Sequence, residues 1–177
     1  LVRDAELRAA ADPRAAADAV AAAFAGPAAL QPRQRTVAGD VKLSTMAAIL
    51  PDQGLAGAKV YTTLGGAFRF VVLLFDSTTG APLACMEADA FTEIRTAAVT
   101  EVAAVALGPE APRRLALFGT GVQARAHARA LARRFGLERI DVVSRGDAAA
   151  FCAAVTAETG VAARPAPADA VAEADLV

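Results

Sequence analysis

The sequence predicts an α/β fold in two parts: an N-terminal α+β unit over residues 1–110, then a doubly wound parallel sheet over residues 111–177. Three observations predict it. Several β-rich runs separated by turn residues fill the first part, with helical patterns at either end. A strict alternation of short apolar strands and Ala-rich helices begins at Arg113. At its first strand-to-helix junction stands a glycine turn, Gly119-Thr120-Gly121.

Taken in order, Asp12 is placed to cap a helix with Pro13 at its first position, and Gly26-Pro27 closes it. A polar, Pro-containing stretch, "GPAALQPRQR", leads to strand character. "TVAGDVKL", "AGAKVYTT" and "AFRFVVLLFD" are β-rich, with "LPDQG" and "LGG" as the turns between them. "DSTTG", Asp76 to Gly80, is a hairpin turn into "APLACMEA". Thr92 is then placed to cap a helix through "EIRTAAVTEVAAVAL", which Gly108-Pro109 ends.

From Arg113 the order is strand "RLALF", helix Val122 to Phe135, strand "RIDVVS", helix "DAAAFCAAVTAE", a short strand near "VAA", a short helix, and "ADLV". The 65 residues from 113 to 177 amount to two βαβ units, at roughly 30 residues each. A fourth strand only begins at Asp175-Leu176-Val177. The parallel sheet is therefore expected to be incomplete and the chain to come from a longer protein.

Composition narrows the function classes. With 55% hydrophobic and 21% charged residues over 177 positions, the chain has the make-up of a soluble globular protein with a substantial core. A net charge of −1 gives no field to attract nucleic acid or an anionic membrane. No apolar run reaches the length of about 18 residues that a membrane span needs, and the opening "LVRDAELRAA" is charged where a secretory signal is apolar. Cys85 and Cys152 fit no metal or redox spacing, so reduced thiols in a cytoplasmic protein are expected. Against 16 arginines there are only Lys42 and Lys59, and Lys59 lies in an apolar run. Arg125, Arg129 and Arg133 at i, i+4, i+8 are expected to form a solvated helix face, with His127 exposed among them.

Gly119-x-Gly121-x-x-Ala124 matches the G-x-G-x-x-A dinucleotide fingerprint in its required setting, after a strand and before a helix. Such glycines let the backbone approach a pyrophosphate, whose charge then sits at the helix N-terminus. The next strand ends at Ser144-Arg145, where an NAD-binding chain usually carries a carboxylate for the ribose hydroxyls. A hydroxyl and a guanidinium there suit a 2′-phosphate instead, so NADP(H) is favoured over NAD(H).

Three stretches together, "GAKVYTT", "LLFDSTTGAPLACMEADAFTEIRTAAVTEVAAVAL" and "RRLALFGTGVQARAHARAL", resemble the ornithine cyclodeaminase/μ-crystallin family. The D-x-x-T-G turn, the T-x-x-R-T-A-A helix start and the G-T-G-x-Q turn occur in the family's order and spacing over nearly the whole chain. The resemblance implies a substrate-binding and dimerisation domain followed by a Rossmann domain, in a homodimer. It implies hydride exchange between NAD(P) and the α-carbon of a small amino or imino acid. This covers ornithine converted to proline plus ammonia, reduction of a cyclic imine such as Δ1-pyrroline-2-carboxylate, or an alanine-dehydrogenase-like activity.

Carried over by residue, Lys59 matches the family lysine near the substrate carboxylate, and Arg35 in "PRQRT", with Arg33 adjacent, fits its other substrate arginine. Arg95 matches the arginine at the junction of substrate and cofactor, in what the sequence makes the first turn of its helix. Val122 and Gln123 match the cofactor-contacting pair after the second glycine; with Gly119, Thr120, Gly121, Arg95, Ser144 and Arg145 they complete the expected cofactor site. Ser144 departs from the aspartate of the cyclodeaminases and leans toward the reductase branch, and Ala67 stands where a strand threonine is usual. The family's catalytic aspartate falls beyond Val177, so no catalytic residue is expected within the chain. The other classes left open are a non-catalytic NADPH and small-ligand binding protein, or an inactive fragment.

Overall fold

A computed structural model describes every residue from Leu1 to Val177. By compactness the chain divides into two units, Leu1–Thr92 and Glu93–Val177.

The first unit opens with helices α1 (Asp4–Ala10) and α2 (Pro13–Ala25). The Asp12 carboxylate accepts from the Arg14 N–H at 2.8 Å, which caps α2 as its sequence demands. An antiparallel meander follows: β1 (Ala29–Ala38), β2 (Val41–Leu50), β3 (Leu55–Leu64), β4 (Ala67–Asp76) and β5 (Pro82–Glu87), side by side in chain order. "TVAGDVKL" is not one strand but a hairpin, because Gly39 adopts φ 56° and Ala38 pairs with Val41. β1 also starts earlier than its Pro32 suggests. It is an edge strand, and its register shifts between Gln31 and Gln34, so the proline removes no ladder bond. At the β4–β5 turn the Asp76 carboxylate accepts from the N–H groups of Thr78 and Thr79, and this holds its pKa below the ordinary carboxylate value.

Helix α3 (Asp89–Leu107) begins three residues before Thr92. Its first turn is capped from afar, by the Asp4 carboxylate accepting from the Ala90 N–H. Thr92 therefore lies inside the helix, and its hydroxyl donates to the Ala88 carbonyl at 2.7 Å. Most of α3 falls within the second unit, where Ala97 packs on Ala126 and Ala130 and Glu101 pairs with Arg133. The compactness boundary thus lies well before residue 110.

The second unit continues as β6 (Arg114–Phe118), α4 (Val122–Arg134), β7 (Arg139–Val143), α5 (Ala149–Thr159) and β8 (Ala162–Pro165), closed by a 3-10 turn at Ala168–Glu173. The strands are parallel in the order β6-β7-β8, and Leu176 bridges Leu115 on the other side of β6. The order in which the chain adds parallel strands therefore reverses beside β6, which is the switch point of a doubly wound Rossmann-type sheet. Leu115, Ile140, Val142, Cys152 and Val155 form its core, each at most 3% exposed.

Candidate functional site

Alternation along β3 places Lys59 and Tyr61 on one face of the antiparallel sheet. Across the strands, Arg35, Ser44, Tyr61 and Phe70 occupy one rung, and Met46, Lys59 and Val72 the next on that face. The Lys59 Nζ donates to the Thr92 hydroxyl at 3.0 Å and lies 4.2 Å from the Phe70 ring centroid. It is half-buried, not a strand residue pointing to solvent, and the ring face attracts its charge. Arg35 Nε donates to the Ser44 hydroxyl at 3.2 Å, while the rest of its side chain is exposed. Of the two neighbouring arginines, Arg35 is the one that sits on the Ser44–Tyr61 rung.

Tyr61 is buried and packs against Phe70, with ring centroids 5.2 Å apart. Burial raises its pKa, but the hydroxyl's interactions with Ser44 and Arg35 and the charges of Arg33 and Arg35 outweigh it, so the phenol sits below its ordinary value. Beside Lys59 the same face carries a cavity of about 610 Å³, walled by Leu30, Met46, Leu55, Leu74 and Phe91 among others, with no Asp or Glu in its wall. A cation beside an apolar hollow, with a guanidinium on the neighbouring rung of the same face, suits a small molecule with a carboxylate and an uncharged body.

Arg95 belongs to the second unit, half-buried on α3. It stands six residues beyond Asp89, past the first turn, so the helix dipole gives it no added pull on an anion.

In the second unit Gly119 has φ 95°, a conformation that favours glycine, and Gly121 opens α4 with no side-chain cap. A Cβ built on either glycine meets nothing within 4 Å. The first N–H groups of α4 therefore face an open approach, with Thr120, Gly121, Val122 and Gln123 all exposed there. This is a cradle that fits a pyrophosphate. The Gly119 N–H donates to the Val143 carbonyl at 2.8 Å, so the turn is tied to the end of β7, next to Ser144 and Arg145. Ser144 is half-buried and accepts from the Gly146 N–H at 3.3 Å; Arg145 is exposed.

Two expectations for α4 are corrected. Arg125 and Arg129 both pair with Glu158, and Arg133 donates to the nearly buried Glu101 at 2.6 Å, so this arginine face is ion-paired as well as solvated, and Arg133 is its most covered member. His127 is half-buried, not exposed, and desolvation lowers its pKa. Sequence reasoning also missed Asp141, buried at 2% and held by Arg139 and Arg164 at 2.8 and 2.7 Å. Ser44, Tyr61 and the Lys59–Thr92 bond were missed as well. The period of two from Lys59 reaches Tyr61, whereas Ser44 is brought in only by the register of two hairpins.

Residues 15–177 match the model of the ornithine cyclodeaminase/mu-crystallin family. A solved structure of a probable ornithine cyclodeaminase from Bordetella pertussis Tohama I superposes with a TM-score of 0.94 at 46% identity, covering 99% of this chain and 58% of that one. The iminosuccinate reductase of Paracoccus denitrificans, solved in complex with NAD+, superposes with a TM-score of 0.92 at 25% identity, covering 99% and 59%. A Δ1-pyrroline-2-carboxylate/Δ1-piperideine-2-carboxylate reductase from Azospirillum brasilense is 38% identical over 123 residues, 68% of this chain and 37% of that protein. The chain thus spans between one third and three fifths of the length of these relatives. No helix is long and apolar enough to cross a membrane.

Proposed function

We propose, from the premise that this chain belongs to the ornithine cyclodeaminase/mu-crystallin family, that it is part of an NADP(H)-preferring reductase of small cyclic imino acids. The observation that carries this reading is the open glycine cradle with Ser144 and Arg145 beside it in place of a carboxylate. Gly119, Thr120, Gly121, Val122 and Gln123 would hold the pyrophosphate end, with Ser144 and Arg145 taking the 2′-phosphate through a hydroxyl and a guanidinium. When bound, the dinucleotide supplies hydride to the imine carbon, and a proton completes the amine.

In this reading residues 1–110 form the substrate-binding and dimerisation domain and residues 111–177 the cofactor domain. Lys59 and Arg35 hold the substrate carboxylate on the sheet face, Lys59 kept in place by Thr92 and the Phe70 ring. Arg95 takes the double role, toward substrate and cofactor, that the family resemblance gives it. The similar Azospirillum reductase acts on pyrroline- and piperideine-2-carboxylate, and the acid-free wall of the cavity beside Lys59 suits their uncharged rings. Ornithine cyclodeamination is the second reading, which the description of the similar Bordetella protein favours.

The sheet of the first unit leaves Val41, Leu43 and Ile49 each more than 40% exposed on its other face, which supports a homodimer built on that sheet. The two free cysteines support a reducing, cytoplasmic setting.

The test is to titrate the intact protein with NADPH and NADH, then add Δ1-pyrroline-2-carboxylate and follow nicotinamide absorbance. Tighter NADPH binding with oxidation on imine addition is expected. NADPH binding without oxidation by any imino acid would move the protein to the binding-only class, and equal binding of both nucleotides would remove the cofactor preference.

A further inference from the structure

The buried rung Ser44–Tyr61 bears on Arg35. Ser44 is 0% exposed and Tyr61 6%, making them the two most buried side chains of the meander. Both end at the guanidinium of an otherwise exposed arginine: Ser44 accepts from Arg35 Nε, and the Tyr61 hydroxyl interacts with Ser44 and Arg35. A buried hydroxyl is costly unless it is hydrogen-bonded, and here Ser44 accepts from Arg35 Nε while Tyr61 stands opposite Ser44 on the same rung. An exposed arginine otherwise samples many rotamers, and holding one orientation of its planar fork lowers the cost of bidentate carboxylate recognition.

We infer that Tyr61 and Ser44 are positioning residues, fixing the Arg35 guanidinium for the substrate carboxylate. The inference rests on the reading that Arg35 binds that carboxylate. Tyr61 also packs on Phe70, whose ring lies under Lys59, so one aromatic pair supports both cations of the clamp. The lowered phenol pKa agrees with a hydroxyl oxygen facing positive charge.

The experiment compares Tyr61→Phe, Ser44→Ala, Arg35→Ala and the double variant Tyr61→Phe/Arg35→Ala in the intact enzyme, with Δ1-pyrroline-2-carboxylate as substrate. Tyr61→Phe keeps the ring packing and removes only the hydroxyl. It should raise KM for the imino acid about tenfold, the loss expected for one hydrogen bond to a charged group. The value of kcat should stay within about twofold and NADPH affinity should not change. Ser44→Ala should do the same, and if Tyr61→Phe does not fold, Ser44→Ala alone decides. In the Arg35→Ala background, adding Tyr61→Phe should raise KM no further, which a purely structural role for Tyr61 would not produce.

The inference is overturned if Arg35→Ala raises KM while Tyr61→Phe and Ser44→Ala leave it unchanged, or if the effects of Tyr61→Phe and Arg35→Ala simply add. If instead Arg35→Ala itself leaves KM unchanged, the reading of Arg35 as a carboxylate ligand fails, and the inference with it.

Discussion

The two units are built on opposite principles. In the second, a parallel sheet buries Leu115, Ile140 and Val142, and its buried carboxylates Glu101 and Asp141 are each paired with arginines. In the first, a five-stranded antiparallel meander buries Ser44 and Tyr61 more deeply than most of its aliphatic side chains, while Leu30, Val41, Leu43 and Ile49 remain largely exposed. The difference teaches that one unit closes its sheet into a core, whereas the other leaves much of its sheet surface uncovered. Its polar rung, its cationic lysine and the exposed Leu30 occupy one face, and the exposed Val41, Leu43 and Ile49 the other.

The largest expected effect sharpens that contrast. Ile140→Ala, at a fully buried position, should destabilise the protein by about 2–5 kcal/mol in urea unfolding. Ile49→Ala, at a position 46% exposed, should cost less than about 1 kcal/mol when the protein is dilute enough to be monomeric. Equal costs would break the comparison. Next comes the cradle: Gly119→Ala forces a Cβ into φ 95°, a strain of about 1–3 kcal/mol. It should weaken NADPH binding by at least about tenfold in a fluorescence titration. Unchanged affinity would mean the turn is only a turn.

Ser144→Asp is expected to shift the ratio of NADPH to NADH affinity about tenfold toward NADH, since a carboxylate repels a 2′-phosphate and accepts from ribose hydroxyls. An unchanged ratio would show that the end of β7 does not read the ribose. The smallest effect concerns His127. Its folded pKa lies below the unfolded value of about 6.5. The unfolded chain therefore binds a proton first as pH falls, and stability is lost from about pH 6.5 downward through the lowered folded pKa. Replacing His127 with Gln should flatten that part of the stability–pH curve, and an identical slope in both proteins would contradict the desolvation account.

The second unit was largely legible because its signals are local: alternating apolar runs, Gly119 and Gly121 at the turn, and Ala-rich helices give each element and their order. The first unit was legible in its hairpins but not in its boundaries. Gly39 hid a turn inside a β-rich run, and Pro32 hid the start of an edge strand. The start of α3 escaped because its cap comes from Asp4, far away in the chain, and this moved Thr92 from cap to partner of Lys59 and Arg95 out of the first turn. Lys59 could be picked out by its rarity and its apolar setting. Its neighbours Ser44 and Tyr61 could not, because register across three strands is not written in any one of them.

The central claim of the proposed function is that the intact protein transfers hydride from a dinucleotide bound at the Gly119–Gly121 turn to an imino acid whose carboxylate Lys59 binds. The most direct test incubates the intact protein with NADPH deuterated at the transferable C4 position and Δ1-pyrroline-2-carboxylate, and examines the product by mass spectrometry and NMR. The account predicts proline carrying one deuterium at its α-carbon, formed one for one with NADP+ and lost in both Lys59→Ala and Gly119→Ala. Proline without deuterium, or NADPH bound and never consumed, would contradict it.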